Sequence, residues 1–233
     1  MASGGHTASA LGRPRLHLKA TTSTNDRARD LAQAGAPHGT LVTAGEQSAG
    51  RGRQGRTWSA PAGSALLMSL VLHEVPALLP LAAGVAVAEV AGATARVKWP
   101  NDVLLDDRKV AGILAEGRPR DGWAVLGIGL NVAVRIEDLP PELHAAAGTL
   151  GLAPAELEPT LARLLDALER ALALDDAALL DAYRARDALR GRDVAWTDGS
   201  GRAAGIDGDG RMVVELAGGG RTALSAGEVH LLG

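Results

Sequence analysis

Residues 96–134 read RVKWPNDVLLDDRKVAGILAEGRPRDGWAVLGIGLNVAV. Strand-like runs at 96–99, 103–105, 110–116 and 123–134 follow one another closely in this stretch. Asp106-Asp107-Arg108 has hairpin chemistry, because Asp tolerates the left-handed backbone that tight turns demand. Connections this short join only antiparallel neighbours, since a parallel pair needs a crossover of a dozen or more residues. The stretch predicts an α+β fold on a mixed, largely antiparallel sheet with flanking helices, rather than a doubly wound parallel one.

Upstream, 15–20 alternates like a strand, and Ser23-Thr24-Asn25-Asp26 supplies capping oxygens for a helix through Leu31 and Ala34. Residues 40–44 and 65–72 read as strands, joined by a Gly- and Arg-rich loop from Gln47 to Ser59. Leu78, Leu81, Ala82, Val85 and Ala86 fit a largely buried helix ending near Gly92. Downstream, Leu157, Leu161, Leu164, Leu165, Leu168 and Leu172 keep helical spacing, and Leu179, Leu180 and Tyr183 suggest another helix after Asp175-Asp176. From Gly191 the texture changes to short strand-like runs between Gly-rich turns, which predicts a small β-barrel or sandwich. The expected division is a domain at 1–189 and a second at 190–233.

Composition narrows the function classes. A formal net charge of -3 leaves no overall positive field to hold a nucleic acid. The absence of cysteine excludes disulfides, thiolate metal sites and a thiol nucleophile. The first eighteen residues lack the apolar core of a secretory signal, and the apolar stretch at 78–88 is broken by Pro80 and Gly84. A cytoplasmic protein without a membrane or nucleic-acid partner is expected. With no Phe and one Tyr, the four Trp stand out, two of them (Trp58 and Trp99) inside the motifs below.

Four segments carry chemistry. Gly50-Arg51-Gly52-Arg53-Gln54-Gly55-Arg56-Thr57-Trp58 combines glycines that allow close backbone approach with arginine forks suited to carboxylate and phosphate oxygens. It is neither a Walker loop nor a dinucleotide fingerprint, and taken alone it fits a solvated basic loop or an RNA-touching segment equally well. Lys98-Trp99-Pro100-Asn101-Asp102 sets a cation at a strand end before a polar turn, which by itself is simply a good turn. Lys109-Val110-Ala111-Gly112-Ile113-Leu114 opens an apolar strand with a lysine and leaves room at Gly112. Gly127-Ile128-Gly129-Leu130-Asn131-Val132 holds one polar residue that needs a partner if buried.

Together and in this order the segments resemble the catalytic domain of biotin protein ligases, from about Leu16 to the C-terminus. The resemblance implies a class II synthetase-like catalytic fold, with a C-terminal SH3-like β-barrel that includes Ala226-Gly227-Glu228-Val229. It implies a biotin-[acetyl-CoA-carboxylase] ligase that makes biotinyl-AMP from biotin and ATP with Mg2+, then biotinylates a lysine of a biotin carboxyl carrier domain. Biotin binding falls to Ser23, Thr24, Asn25, Gln47, Gly50, Arg51, Arg53, Lys109, Gly112 and Gly129. Binding of ATP or the adenylate falls to Arg53, Arg56, Trp58, Lys98, Asn101 and Asn131, catalysis to Lys109, Arg53 and Lys98, and the metal to Asp102.

Only about fourteen residues precede the first predicted strand, so no DNA-binding domain or repressor role is expected. Edge strands of the sheet leave a homodimer open. Rival readings are a lipoate or octanoate ligase or transferase of the same fold, a module that sequesters biotin without turnover, and an RNA-binding protein.

Overall fold

The computed structural model describes residues 11–73, 75–118, 122–225 and 227–232. Ala226, part of the expected C-terminal motif, lies outside them.

Seven strands form the main sheet: β1 (Arg15–Leu18), β2 (Leu41–Ala44), β3 (Ala65–His73), β4 (Arg96–Lys98), β5 (Asp102–Leu105), β6 (Arg108–Arg118) and β7 (Trp123–Asn131). Their order is β1-β2-β3-β7-β6-β5-β4. Every neighbouring pair is antiparallel except β1 and β2, which run parallel because helix α1 (Thr24–Gln33) carries the chain across between them. The β5–β6 hairpin turns through Asp106 and Asp107 at φ 51° and 58°, the left-handed pair predicted from the sequence.

Strand alternation separates two faces. Leu66, Met68, Leu70 and Leu72 of β3 and Ala124, Leu126, Ile128 and Leu130 of β7 all enter one large apolar core. Helices α2 (Leu79–Ala91), α3 (Leu157–Leu172) and α4 (Asp176–Arg184) pack into that core. Burying each of the larger side chains contributes roughly 1.5–3 kcal/mol. The alternate positions, Ser69 on β3, Gly112, Leu114 and Glu116 on β6, and Gly127, Gly129 and Asn131 on β7, therefore share the opposite face. Part of that face is covered by α1, whose Ala28 and Ala32 pack with Val42, Val71 and Val125. The remainder is the floor of the site.

The capping expectation at the start of α1 is corrected. Ser23 occupies the N-cap but makes no side-chain capping bond. The side-chain oxygens of Thr24 and Asn25 point instead into a buried polar network, where they do more than satisfy a helix end. By contrast Asp175 caps α4 as its sequence suggests, accepting from the Ala178 amide at 2.8 Å.

The C-terminal strands β8 (Asp193–Trp196), β9 (Gly199–Ile206), β10 (Met212–Glu215), β11 (Arg221–Leu224) and β12 (His230–Leu231) form a second, fully antiparallel sheet in the order β11-β10-β9-β8-β12. Among the described residues β11 and β12 remain its two edges, an open sheet where a closed barrel was expected. With four residues in one and two in the other, they offer few backbone groups for closure. Val194, Ala203, Met212 and Val214 of this sheet belong to the same apolar cluster as the helices. The Trp99 indole N–H donates to the Gly210 carbonyl at 3.0 Å, fastening the two sheets together.

One edge of the main sheet is closed. Val97 of β4 donates to the Arg186 carbonyl at 2.8 Å and accepts from the Ala188 amide at 2.9 Å. The short β1 is the end strand on the other side of the sheet. Among the described residues no helix is long and apolar enough to cross a membrane.

Candidate active site

The Gly- and Arg-rich segment folds back on itself. Arg51 bridges to Thr57, the Gly52 amide donates to the Arg56 carbonyl at 2.7 Å, and the Trp58 amide donates to the Gly50 carbonyl at 2.9 Å. Its tip turns through Gln54 and Gly55 at φ 55° and 75°. The arms approach so closely that a Cβ on Gly50 would overlap the Trp58 carbonyl.

This hairpin lays the Trp58 indole across β6 and β7 at Gly112 and Gly129, which are cross-strand partners. A Cβ on Gly112 would stand 3.0 Å from the ring, and one on Gly129 would overlap it. The two glycines thus form a seat for an aromatic side chain. The indole Nε1 is buried with no hydrogen-bond partner, and the Lys109 ammonium stands 5.7 Å from the ring centroid.

One end of the cavity is neutral and hydrogen-bonded. Gln47 Oε1 accepts from the Thr24 amide at 2.7 Å and from the Thr24 hydroxyl at 3.1 Å. The buried Ser69 hydroxyl lies 2.8 Å from Thr24 Oγ1 and 2.6 Å from Asn25 Oδ1. Asn25 Oδ1 can only accept and the Thr24 proton already goes to Gln47, so the single Ser69 proton is donated to one of these two oxygens and the other is a close neighbour. Gly127 is glycine because Asn25 fills the place of its Cβ.

The opposite end is cationic. Lys109 Nζ pairs with Asp102 Oδ1 at 2.7 Å, and Arg53 donates to Asn101 Oδ1 at 3.2 Å. Asn101 donates in turn to the Ile113 carbonyl at 3.0 Å, which fixes its amide. Burial pushes the Lys98 amine below the ordinary lysine range, opposed by Asp102 and reinforced by Lys109. Burial also lowers the Arg53 guanidinium, again against the pull of Asp102. Glu228 joins Asp102 in opposing both shifts and Arg56 reinforces them, so four cations share two carboxylates here. Asn131 spends its amide N–H on the Gly148 carbonyl at 2.8 Å, while its Oδ1 is buried without a partner.

Between these ends, Arg51 gives one terminal nitrogen to Asp26 at 2.7 Å and the other to Glu116 at 2.9 Å. Arg56 pairs with Glu228, in the segment leading to β12, at 2.6 Å. Leu139, Leu143 and Ala147 form an apolar wall, held in place because Lys109 N–H donates to the Ala146 carbonyl and its own carbonyl accepts from Gly148.

All sixteen predicted site residues except Gly50 line this one cavity of about 390 Å³; Gly50 shapes the hairpin beside it. Contributors not singled out from the sequence for this site include Ser69, Glu116, Leu143 and Glu228. Ser69 and Glu116 carried a usable signal, since both sit in phase with the glycines of their strands. Leu143 ends a three-residue 3-10 turn and Glu228 lies in irregular backbone, both too short of repeat for periodicity to mark them.

A glycine-floored cleft with a neutral hydrogen-bonding end and a cationic end, on an α+β sheet, defines a protein built to hold a small molecule against an anion. The chain belongs to the biotin/lipoate A/B protein ligase family, whose sequence pattern matches residues 18–132. A biotin--[acetyl-CoA-carboxylase] ligase from Mycobacterium tuberculosis is 38% identical over 236 residues, covering 91% of this chain and 86% of the relative. The bifunctional ligase/repressor BirA of Bacillus spizizenii is 37% identical over 158 residues, 63% of this chain; the match spans 49% of that longer protein. Among solved structures, the biotin protein ligase from Aquifex aeolicus in complex with biotin and ATP superposes with a TM-score of 0.80 at 26% identity, over 94% of this chain and 99% of that one.

Proposed function

We propose that this chain is an ATP-dependent biotin protein ligase. The observation that carries the reading is the convergence of Arg53, Lys98 and Lys109 on Asp102 and Asn101, at one end of a cleft whose other end is Thr24, Gln47 and Ser69. The neutral end suits a ureido ring, which offers two N–H donors and one carbonyl acceptor to short, pre-oriented polar groups. A fatty-acid chain has no polar head to place there, which disfavours a lipoate or octanoate substrate.

In the first half-reaction a biotin carboxylate oxygen attacks the α-phosphorus of ATP, forming the mixed anhydride biotinyl-AMP as pyrophosphate leaves. Two anions must meet for that bond to form. Lys109, released from Asp102, and Arg53 offset the charge at the junction, and Lys98 adds a cation already short of solvent. In the second half-reaction the carrier lysine amine attacks the acyl carbon, loses a proton, and expels AMP. The hairpin at 50–58 covers the anhydride from water in the interval. Trp58 and the wall of Leu139, Leu143 and Ala147 provide the apolar faces for an adenine ring, a stacking contribution of order 1 kcal/mol.

Magnesium fits this donor set in a limited way. Among the described residues no cluster of three or more His, Cys, Asp or Glu exists to cage an ion, but Asp102 and the unpartnered Asn131 Oδ1 are hard oxygens suited to sharing one with a nucleotide. When bound, the ion neutralises phosphate charge. The second sheet is read as an SH3-like module from about residue 190, which brings Glu228 to the loop. The partner is a biotin carboxyl carrier domain in the cytoplasm.

The test is incubation with biotin, magnesium ATP and a biotin carboxyl carrier domain, read by streptavidin blot and by mass spectrometry of the modified lysine. A carrier labelled only when lipoate or octanoate replaces biotin would overturn the substrate assignment.

A further inference from the structure

The ion pairs at the base of the hairpin form a closed ring. Arg29 and Arg51 each bridge the same two carboxylates: Arg29 meets Asp26 at 3.0 Å and Glu116 at 3.0 Å, and Arg51 meets them at 2.7 and 2.9 Å. Two positive and two negative charges cancel, so the ring is not a site for a further ion. Glu116 has one more partner. Its Oε2 accepts from Asn25 Nδ2 at 2.9 Å, and Asn25 Oδ1 is the group that faces Ser69 on the floor of the neutral end.

Glu116 therefore touches two parts of the site at once. Through Asn25 it fixes the side chains that the ring of the substrate would meet. Through Arg51 it fixes the base of the hairpin, because Arg51 bridges to Thr57 and the adjoining Trp58 amide is bonded to Gly50. The indole that lies on Gly112 and Gly129 hangs from that base. Glu116 sits on β6 only four positions from Gly112, so all these contacts refer to one rigid strand.

We propose that Glu116 is a positioning residue that locks the Gly-Arg hairpin to the ring-binding end of the cleft, so that retention of the adenylate depends on it although it touches no reacting atom. The inference rests on the ligase reading for its kinetic consequence but not for its structural one. Arg29 provides the internal control. It belongs to the same charge ring, yet its ion pairs among the described residues are with Asp26 of α1 and Glu116 of β6 and none is with the hairpin, and its loss leaves Arg51 still held by both carboxylates.

The experiment compares Glu116→Gln, Asp26→Asn and Arg29→Gln by two readouts, after thermal melts select the variants that fold. The first is trypsin cleavage within the hairpin, after Arg51, Arg53 or Arg56, without substrates. Glu116→Gln and Asp26→Asn are expected to be cut on the order of tenfold faster, since a charge-assisted bond holding the hairpin base is gone. Arg29→Gln is expected to match the parent. The second readout is release of biotinyl-AMP, made in place from biotin and magnesium ATP, where Glu116→Gln should let go on the order of tenfold faster and Arg29→Gln should match the parent.

Equal cleavage rates in all four proteins, or acceleration by Arg29→Gln as large as by Glu116→Gln, overturns the proposal, since either means the ring only stabilises the helix. If the parent makes no biotinyl-AMP, the ligase reading fails instead, and the cleavage comparison still decides the role of Glu116.

Discussion

The two ends of the cleft are built on opposite principles. At the neutral end the polar atoms described here have partners within the protein: Thr24 with Gln47, Ser69 with Thr24 and Asn25, and Asn25 with Glu116. At the cationic end Lys98 and Arg53 are held below their ordinary ranges by burial, and Asn131 Oδ1 has no partner. The first end is a finished surface of mutually satisfied donors and acceptors. The second holds unfavourable electrostatics that an incoming anion would relieve. Under the proposed function, recognition is thus separated from charge stabilisation along one floor of strands β6 and β7.

Variants at the two ends should consequently fail in different ways. The largest effect is expected from Lys109→Ala, which removes the cation paired to Asp102 and should cut biotin-dependent pyrophosphate exchange by at least about a thousandfold. Unchanged exchange would break the assignment of the cationic end. Arg53→Gly should still form the adenylate but release it on the order of tenfold faster, as one charged donor near the junction is lost. Equal dissociation rates in parent and variant, followed by chase with unlabelled biotin, would refute that role.

Ser69→Ala sharpens the contrast from the other side. It should raise the KM for biotin about tenfold and leave kcat nearly unchanged, because the hydroxyl supports ground-state binding alone. A fall in kcat equal to that in kcat/KM would place Ser69 in transition-state stabilisation instead.

The smallest effect concerns stability. Lys98 carries a folded-state pKa below its unfolded value, so at neutral pH its charge costs folding free energy. Lys98→Met should raise Tm by about 2–4 °C at pH 7. As pH rises through the folded-state value toward the unfolded one, the folded protein sheds the proton first and the parent gains stability. The advantage of the variant should therefore shrink with rising pH, which melts at pH 7 and pH 10 will show. An advantage that grows with pH contradicts the electrostatic account of this end.

Much of this was legible before any coordinates. The Asp106-Asp107 turn and the runs around it dictate antiparallel pairing, because so short a connection permits nothing else. The Gly-Arg segment and the lysines at 98 and 109 declare their chemistry by residue type. Partner choice was not legible. Residue chemistry alone reads Thr24 and Asn25 as helix caps, the family resemblance reads them as site residues, and the approach of β3 and β6 gives their oxygens the partners Ser69 and Glu116. Arg51 looked like another anion-clasping fork, yet its two terminal nitrogens meet Asp26 and Glu116, residues 25 and 65 positions away.

Local periodicity and turn chemistry act over a few residues, so the sequence by itself determined the strands, their pairing sense and the kinds of charge available. Which charges cancel and which stay uncompensated depends on distances between residues far apart in the chain. That was decided only when the fold set Asp102 beside Lys109 and Glu116 beside Arg51 and seated Trp58 on its two glycines.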